Sequence, residues 1–389
     1  MPNDARLLEF FVLKISGNCP PRSRVLRKAG SLANFGPTCS LRLWQLVISV
    51  LILLAFTTSC DRVHRSPTGN AGQNSVRAVT INNLEPRRDV AGRIIDAHDG
   101  CLQFFQGRFY LYGTAYGSGD GYSVTNCYRV YSSPDLERWT WEGELLKQRP
   151  AGIYFRPYVV FNPHTRKYVL WYNWYSNRKH WDGRAGVAVS DTPVGPFTVV
   201  NPGVKLAGAD SLIGDGSLFV DDDGTGYYIY TIMGKGYWVC VERLTGDYLG
   251  VTGKTSEVLA TGCEAPVLFR RKNLYYVLTD AVCPACPQGS GVQVLTASGA
   301  LGPYHVRANI NRQSGKGAPI VPAQGTWVAK IPTRAGPVFM WMADRWQSTP
   351  DGIKGHDFQF WAPLKFNAEG DLLPIETNAQ WQISPALEN

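Results

Sequence analysis

From Asp96 to Pro374 the chain repeats one pattern of apolar and polar positions five times. Each unit opens on one or two polar residues, runs through an apolar strand, turns, and returns as an aromatic-rich strand. The copies read GCLQFFQGRFYLYGT, YVVFNPHTRKYVLWYNW, GSLFVDDDGTGYYIYTI, APVLFRRKNLYYVLTDA and TWVAKIPTRAGPVFMWMADRW. Apolar or alternating strands joined by Gln106-Gly107, Asn162-Pro163-His164, Asp222-Asp223-Gly224 and Lys272-Asn273 predict hairpins. Three units close on related phrases: SSPDLERWTWEG at 132–143, SDTPVGPFTVV at 190–200 and TASGALGPYHVR at 296–307. Hairpins recurring at a period of roughly 50 residues predict radial blades, and so an all-β, five-bladed β-propeller. The blades are expected at about 96–146, 150–203, 208–261, 262–311 and 320–376, within a domain spanning 90–389. No long amphipathic helix pattern follows Cys60.

The N-terminal part follows a different rule. Residues 43–56, LWQLVISVLILLAF, form an apolar run after Arg42, and small residues then lead to Cys60. Such a run is short for a membrane span and has the layout of a signal-peptide core. Small residues directly before a cysteine resemble a bacterial lipoprotein signal, so Cys60 is the expected lipidation site; ordinary secretion and an uncleaved anchor are the alternatives. Residues 1–60 are thus read as an extension plus signal, and 61–89, rich in Ser, Asn, Arg and Gly, as a tether. The expected location is exported, at the periplasm or cell surface or secreted, with membrane contact only through this N-terminus.

Charge supports the same division. Seven basic against two acidic residues up to Cys60 put +5 of the net +8 charge in the leader. The remainder has no basic stripe, which argues against nucleic acid as a partner. In an oxidising compartment Cys101, Cys127, Cys240, Cys263, Cys283 and Cys286 are disulfide candidates of undetermined pairing. The CPAC tract at 283–286 lacks a βαβ context and a second C-x-x-C, which favours a local disulfide over a redox or zinc motif. Asp221-Asp222-Asp223-Gly224 has consecutive rather than alternating acidic residues and reads as a hairpin turn, not a calcium loop.

The innermost strand of each blade begins near one rim of the central channel. A polar residue there has no apolar reason for its place. Those positions are Asp99, Arg156, Asp215, Glu264 and Gln324, separated by 57, 59, 49 and 60 residues. Three carboxylates, a guanidinium and an amide would share one ring. Crowded carboxylates cannot all ionise freely, so one should keep its proton near neutrality and serve as a general acid. Glycoside hydrolysis uses such a set. Phe155, Trp174, Tyr122, Trp327 and Trp346 lie near blade openings or rim loops and are candidate stacking faces for a sugar. The pairs Asp120/Tyr122 and His180/Trp181 are candidate outer-wall loops. Plainer roles exist: Asp99 capping a turn with His98, Asp215 in an Asx turn, Glu264 pairing with Arg156.

The five-blade plan, with the acidic residue in AHDGCLQFFQGRFYLYGT, the Asp in GDGSLFVDDDGTGYYIY and the Glu in EAPVLFRRKNLYYVLT, resembles glycoside hydrolase family 43. The resemblance covers about 280 residues. It implies Asp99 as general base, Glu264 as general acid and Asp215 as the group that holds the acid and raises its pKa. It also implies inversion, with acid and base about 6.5 to 9.5 Å apart. AHDG, RPYVVFNPHTRKYVLWYNW, EAPVLF, QGTWV and DRW look most like the exo-β-1,3-galactanase branch. Many members of that branch carry Gly where this chain has Asp99 and draw the base from a Gln or Glu elsewhere, a position that Gln324 could fill here. Arabinofuranosidase and xylosidase activity stay open, as does a retaining enzyme or a non-catalytic carbohydrate-binding propeller. No cofactor is required; the family often holds an ion on the channel axis near a His, which makes calcium near His356 a further expectation.

Overall fold

The structure is a computed structural model that describes residues 77–177, 179, 182–207, 212–281, 291–312 and 317–386. Five antiparallel sheets follow one another along the chain. Blade 1 contains β2 (His98–Phe105), β3 (Arg108–Ala115), β4 (Cys127–Ser133) and β5 (Thr140–Glu144), after a short strand β1 (Val79–Asn82). Blade 2 contains β6 (Ile153–Asn162), β7 (Lys167–Tyr175), β8 (Arg184–Ser190) and β9 (Thr198–Asn201). Blade 3 contains β10 (Ile213–Val220), β11 (Gly226–Ile232), β12 (Trp238–Leu244) and β13 (Val251–Thr255). Blade 4 contains β14 (Cys263–Arg271), β15 (Leu274–Ala281), β16 (Gln293–Ala297) and β17 (His305–Asn309). Blade 5 has β18 (Gln324–Ile331), β19 (Val338–Arg345) and β20 (Phe358–Pro363). The inner strands β2, β6, β10, β14 and β18 pack against one another in that order, and β18 returns to β2, which closes the ring.

Two features concern the edges. Among the described residues blade 5 has three strands, and its outer edge is met by a side chain: Asn83 donates to the Trp361 carbonyl at 2.9 Å and accepts from the Trp361 amide at 2.9 Å. Asn83 thereby satisfies ladder groups that a fourth strand would otherwise pair. Val79–Asn82, within the stretch read as tether, is the strand β1, paired antiparallel with β21 (Gln380–Ile383). Cys60, the apolar run at 43–56, Cys283 and Cys286 lie outside the described residues. Cys101, Cys127, Cys240 and Cys263 are free thiols, contrary to the disulfide expectation for these four. Among the described residues no helix is long and apolar enough to cross a membrane.

The turns form as the local chemistry dictates. Gln106 and Gly107 both adopt positive φ, the backbone of a tight hairpin turn whose twist matches its strands. The Asn162 side chain accepts the amides of His164 and Thr165 at 3.0 Å each, an Asx turn between β6 and β7. The Asp221–Gly224 tract is likewise a hairpin turn, closed by Gly224 N–H to the Asp221 carbonyl at 2.9 Å.

Blades adhere through apolar faces crossed by a few directed bonds. Trp171 of β7 packs on Tyr228 of β11 with ring centroids 4.6 Å apart and donates to the Tyr248 carbonyl at 2.7 Å. Tyr128 of β4 donates to the Phe155 and Asn173 carbonyls of blade 2, and Ser217 of β10 to the Pro266 carbonyl of blade 4. Trp139, Trp171, Trp341 and Trp361 are among the largest side chains wholly removed from water. Burying each such indole contributes several kcal/mol by the ~25 cal/mol per Å² of apolar surface.

Candidate active site

All five inner strands carry a β-bulge near their first residues: between His98 and Cys101, Phe155 and Tyr158, Ile213 and Gly216, Glu264 and Val267, and Gly325 and Trp327. A bulge inserts one residue and re-aims the side chains beside it. Asp99, Arg156 and Asp215 lie inside their bulges, and Glu264 and Gln324 lie at or next to the start of theirs. Asp99, Arg156 and Ala265 adopt φ of 47°, 54° and 51°. For residues with a Cβ this costs on the order of 1–3 kcal/mol each, so the surrounding packing must hold it in place.

Hydrogen bonds join four of the five predicted ring residues. The Asp99 carboxylate accepts the Thr114 hydroxyl at 2.6 Å, the Arg156 amide at 3.2 Å and the Tyr116 hydroxyl. The Arg156 guanidinium, itself buried, pairs with Asp215 at 2.9 Å and donates to the Gly325 carbonyl at 3.2 Å. Gln324 donates to the same Asp215 oxygen at 3.2 Å, and its own carbonyl accepts the Trp346 indole N–H at 2.6 Å. Burial raises the Tyr122, Tyr175 and Tyr237 hydroxyls and the Asp280 carboxyl above their usual pKa, and Glu264 in its ionised form adds to each shift, which places it beside them. The ion pair of Arg156 is with Asp215, not with Glu264.

The electrostatics separate the carboxyl groups. Burial raises Asp99 to about 6, against the opposing pull of Arg156, Thr114 and Tyr116. Burial also drives Asp280 well above the usual carboxylate range, and the charges of Glu264 and Asp215 push it the same way. Asp280 accepts the Gly325 amide at 2.7 Å. Asp344 anchors the other side of the ring, accepting the Asp99 amide at 2.6 Å and facing His98 Nδ1 at 3.1 Å. Burial lowers the His98 pKa, but the charge and hydrogen bond of Asp344, with Asp96 behind them, prevail and carry it to about 9.

Of the candidate aromatic faces, three lie on the side of the polar ring and two pack elsewhere. Tyr122, 39% exposed, stands in the field of Glu264 and Asp215. Trp346 is bonded to Gln324 as above, and Phe155 is buried behind Tyr175, with ring centroids 4.7 Å apart. Trp174 is buried within blade 2, stacked on Tyr154 and bonded to the Pro202 carbonyl at 2.7 Å. Its neighbour Tyr175 takes the opposite face, as the strand period of two requires. Trp327 lies deeper in the channel: it packs on Tyr158, which crosses the hub to donate to the Thr326 carbonyl at 2.8 Å. Trp327 instead lines a separate apolar cavity of about 620 Å³, with Leu102, Phe105, Phe161, Phe219 and Phe269 from the far ends of the inner strands. None of the polar ring residues lines that cavity.

His356 is hydrogen-bonded to Asp351 at 2.7 Å in a partly exposed loop, and the histidine at the hub is His98. Both His98 nitrogens face protein oxygens, and its raised pKa makes both of them donors, so this ring does not fit a metal ligand. Among the described residues no group of three His, Cys, Asp or Glu side chains could hold a metal ion. His180 and Trp181 lie outside the described residues.

Thr114, Tyr116, Tyr158, Asp280 and Asp344 were not singled out from the sequence. A usable signal exists for two of them. Asp280 pairs in register with Glu264 and Asp344 with Gln324, so an acidic residue ending the return strand opposite a ring position marks the hub.

The family model "Glycosyl hydrolases family 43" matches residues 95–330. A curated relative, the arabinoxylan arabinofuranohydrolase of Bacillus subtilis (strain 168), is 24% identical in an alignment of 330 residues that covers 71% of this chain and 59% of that protein. Among solved structures, a family-43 β-1,3-galactosidase with galactodeoxynojirimycin aligns at a TM-score of 0.68 and 25% identity, over 77% of this chain and 99% of that one. The exo-β-1,3-galactanase of Clostridium thermocellum aligns at 0.68 and 24%, over 77% and 66%. The family match spans well over half the chain, on the same blades whose bulges form the polar ring: the chain belongs to glycosyl hydrolases family 43.

Proposed function

We propose that this chain is an inverting, exo-acting glycoside hydrolase that releases terminal sugars from plant-type polysaccharide, with β-1,3-linked galactose as the first substrate to test. Asp99 is the general base, Glu264 the general acid, and Asp215 holds the guanidinium and amide that frame the pocket. The observation that carries this reading is the Asp99 environment. A carboxylate that accepts three protein hydrogen bonds yet titrates near 6 has the basicity to take a proton from water near neutral pH.

In a single displacement, Glu264 gives its proton to the glycosidic oxygen as the bond to the anomeric carbon breaks. A water deprotonated by Asp99 attacks that carbon from the opposite face. Arg156 ties the two sides together, since its amide touches Asp99 and its guanidinium touches Asp215. The galactosyl choice is supported by the β-1,3-galactosidase and galactanase neighbours. The curated arabinofuranohydrolase makes arabinofuranosides the second substrate class.

The test is hydrolysis of β-galactosyl, α-arabinofuranosyl and β-xylosyl aryl glycosides and oligosaccharides by the wild type and Glu264→Gln. Release of one sugar by the wild type, with turnover on the oligosaccharide lowered by about 10² to 10⁴ in the folded variant, is expected. Unchanged turnover in Glu264→Gln sinks the acid assignment. No release by either, with a sugar still bound, favours the binding-propeller reading.

A further inference from the structure

We propose that the ammonium of Lys354 donates a hydrogen bond to a hydroxyl of the terminal sugar, which makes Lys354 a substrate-contacting, specificity-determining residue. This rests on the glycosidase reading above and assigns a residue that the reaction scheme leaves unused. Lys354 lies in the loop between β19 and β20. Its Nζ stands 3.3 Å from the centroid of the Trp346 ring and 4.6 Å from that of Tyr116. Those two residues are the ones bonded to Gln324 and to Asp99. The stem passes the Asp120–Tyr122 loop, where its Cε would be 3.5 Å from a Cβ at Gly121. The neighbouring Gly355 amide fixes the loop to the end of blade 1 by donating to the Gly117 carbonyl at 2.9 Å.

The ammonium thus sits over two aromatic faces beside the base, and among the described residues no hydrogen bond or ion pair to it is formed. A cation over a ring face keeps its N–H donors available, because the ring attracts the charge without accepting three directed bonds. Charge selects the acceptor. Asp357, Asp344, Asp99 and Asp120 all act on Lys354, with protonated His98 nearby. An acidic sugar would meet those carboxylates, so a neutral hydroxyl is the fitting partner. Burial lowers the Lys354 pKa to about 8, although the four carboxylates oppose it. The cationic donor is therefore present below that pH and lost above it.

The experiment compares wild type and Lys354→Met, which keeps the stem over Trp346, on the parent aryl glycoside and on its series of monodeoxy analogues. A hydrogen bond to a charged donor predicts a loss of about 10- to 100-fold in kcat/KM for the parent. For the one analogue that lacks the bonded hydroxyl, wild type and variant should coincide, and the alkaline rise in KM near pH 8 should vanish in the variant. Equal losses on every analogue, or no loss on the parent in a variant with unchanged thermal midpoint, would overturn the proposal. Should the wild type hydrolyse none of these glycosides, calorimetric binding of the free monosaccharide and its deoxy forms separates the two claims. The same pattern of weakening upholds the Lys354 contact without the enzyme reading, and equal or absent binding removes it.

Discussion

At the scale of the residue, Asp99 is governed by opposed influences, of which burial prevails. Burial favours its neutral form, while Thr114, Tyr116 and the neighbouring guanidinium favour the carboxylate. The balance near 6 has a kinetic signature. A base must be ionised to act, so kcat/KM should rise with pH through about 6 and level above it, until the Lys354 limb near 8 begins. Replacing Tyr116 by Phe removes one donor to the carboxylate and should move the acid limb upward in a pH profile; an unmoved limb would mean that another group sets it. Asp99, Arg156, Asp215 and Gln324 were legible in the sequence because a polar residue at blade spacing interrupts an otherwise apolar strand. Their partners were not. Thr114 and Tyr116 look like ordinary members of an aromatic strand, and only the register that sets β3 beside β2 brings them to Asp99. The packing of Trp174 and Trp327 away from the polar ring was hidden for a related reason: composition reveals an aromatic near a rim but not which face or which depth it takes.

At the scale of the element, the repeated bulge is what turns a strand into a part of the site. Each inner strand enters the hub, gains one residue, and then resumes regular pairing. In blade 1 this depends on a glycine. A Cβ on Gly100 would stand 2.0 Å from the Tyr112 carbonyl oxygen, which is backbone and cannot swing aside. Gly100→Ala should therefore cost about 1–3 kcal/mol of stability and, by displacing Asp99, lower activity more than stability alone explains. Thermal unfolding together with kcat on the folded fraction measures both; a fully active, equally stable variant would show that the bulge does not hold the base. The hairpin turns were readable from Gly, Asn and Asp at fixed places. The bulges were not, since one additional residue leaves no mark on a pattern of apolar positions, and the three-stranded blade 5 was hidden because a side chain, Asn83, meets its edge.

At the scale of the molecule, five blades bring residues far apart in sequence onto one axis. Asp99 and Asp344, 245 positions apart, meet because β18 returns to β2. Closure of the ring is thus also assembly of the site. The propeller itself was apparent from periodicity, because every copy must bury the same two faces against its neighbours. The channel also divides into two ends of opposite character: a charged end with Asp99, Arg156 and Asp215, and an apolar end at Phe105, Phe161 and Phe219. Tyr158 and Trp327 lie between them. In the proposed reaction water attacks from the Asp99 side in one step. The most direct test is NMR of the first anomer released from a β-1,3-linked galactooligosaccharide. α-Galactose is expected first, followed by slow mutarotation; β-galactose as the initial product would demonstrate retention and contradict single-step inversion.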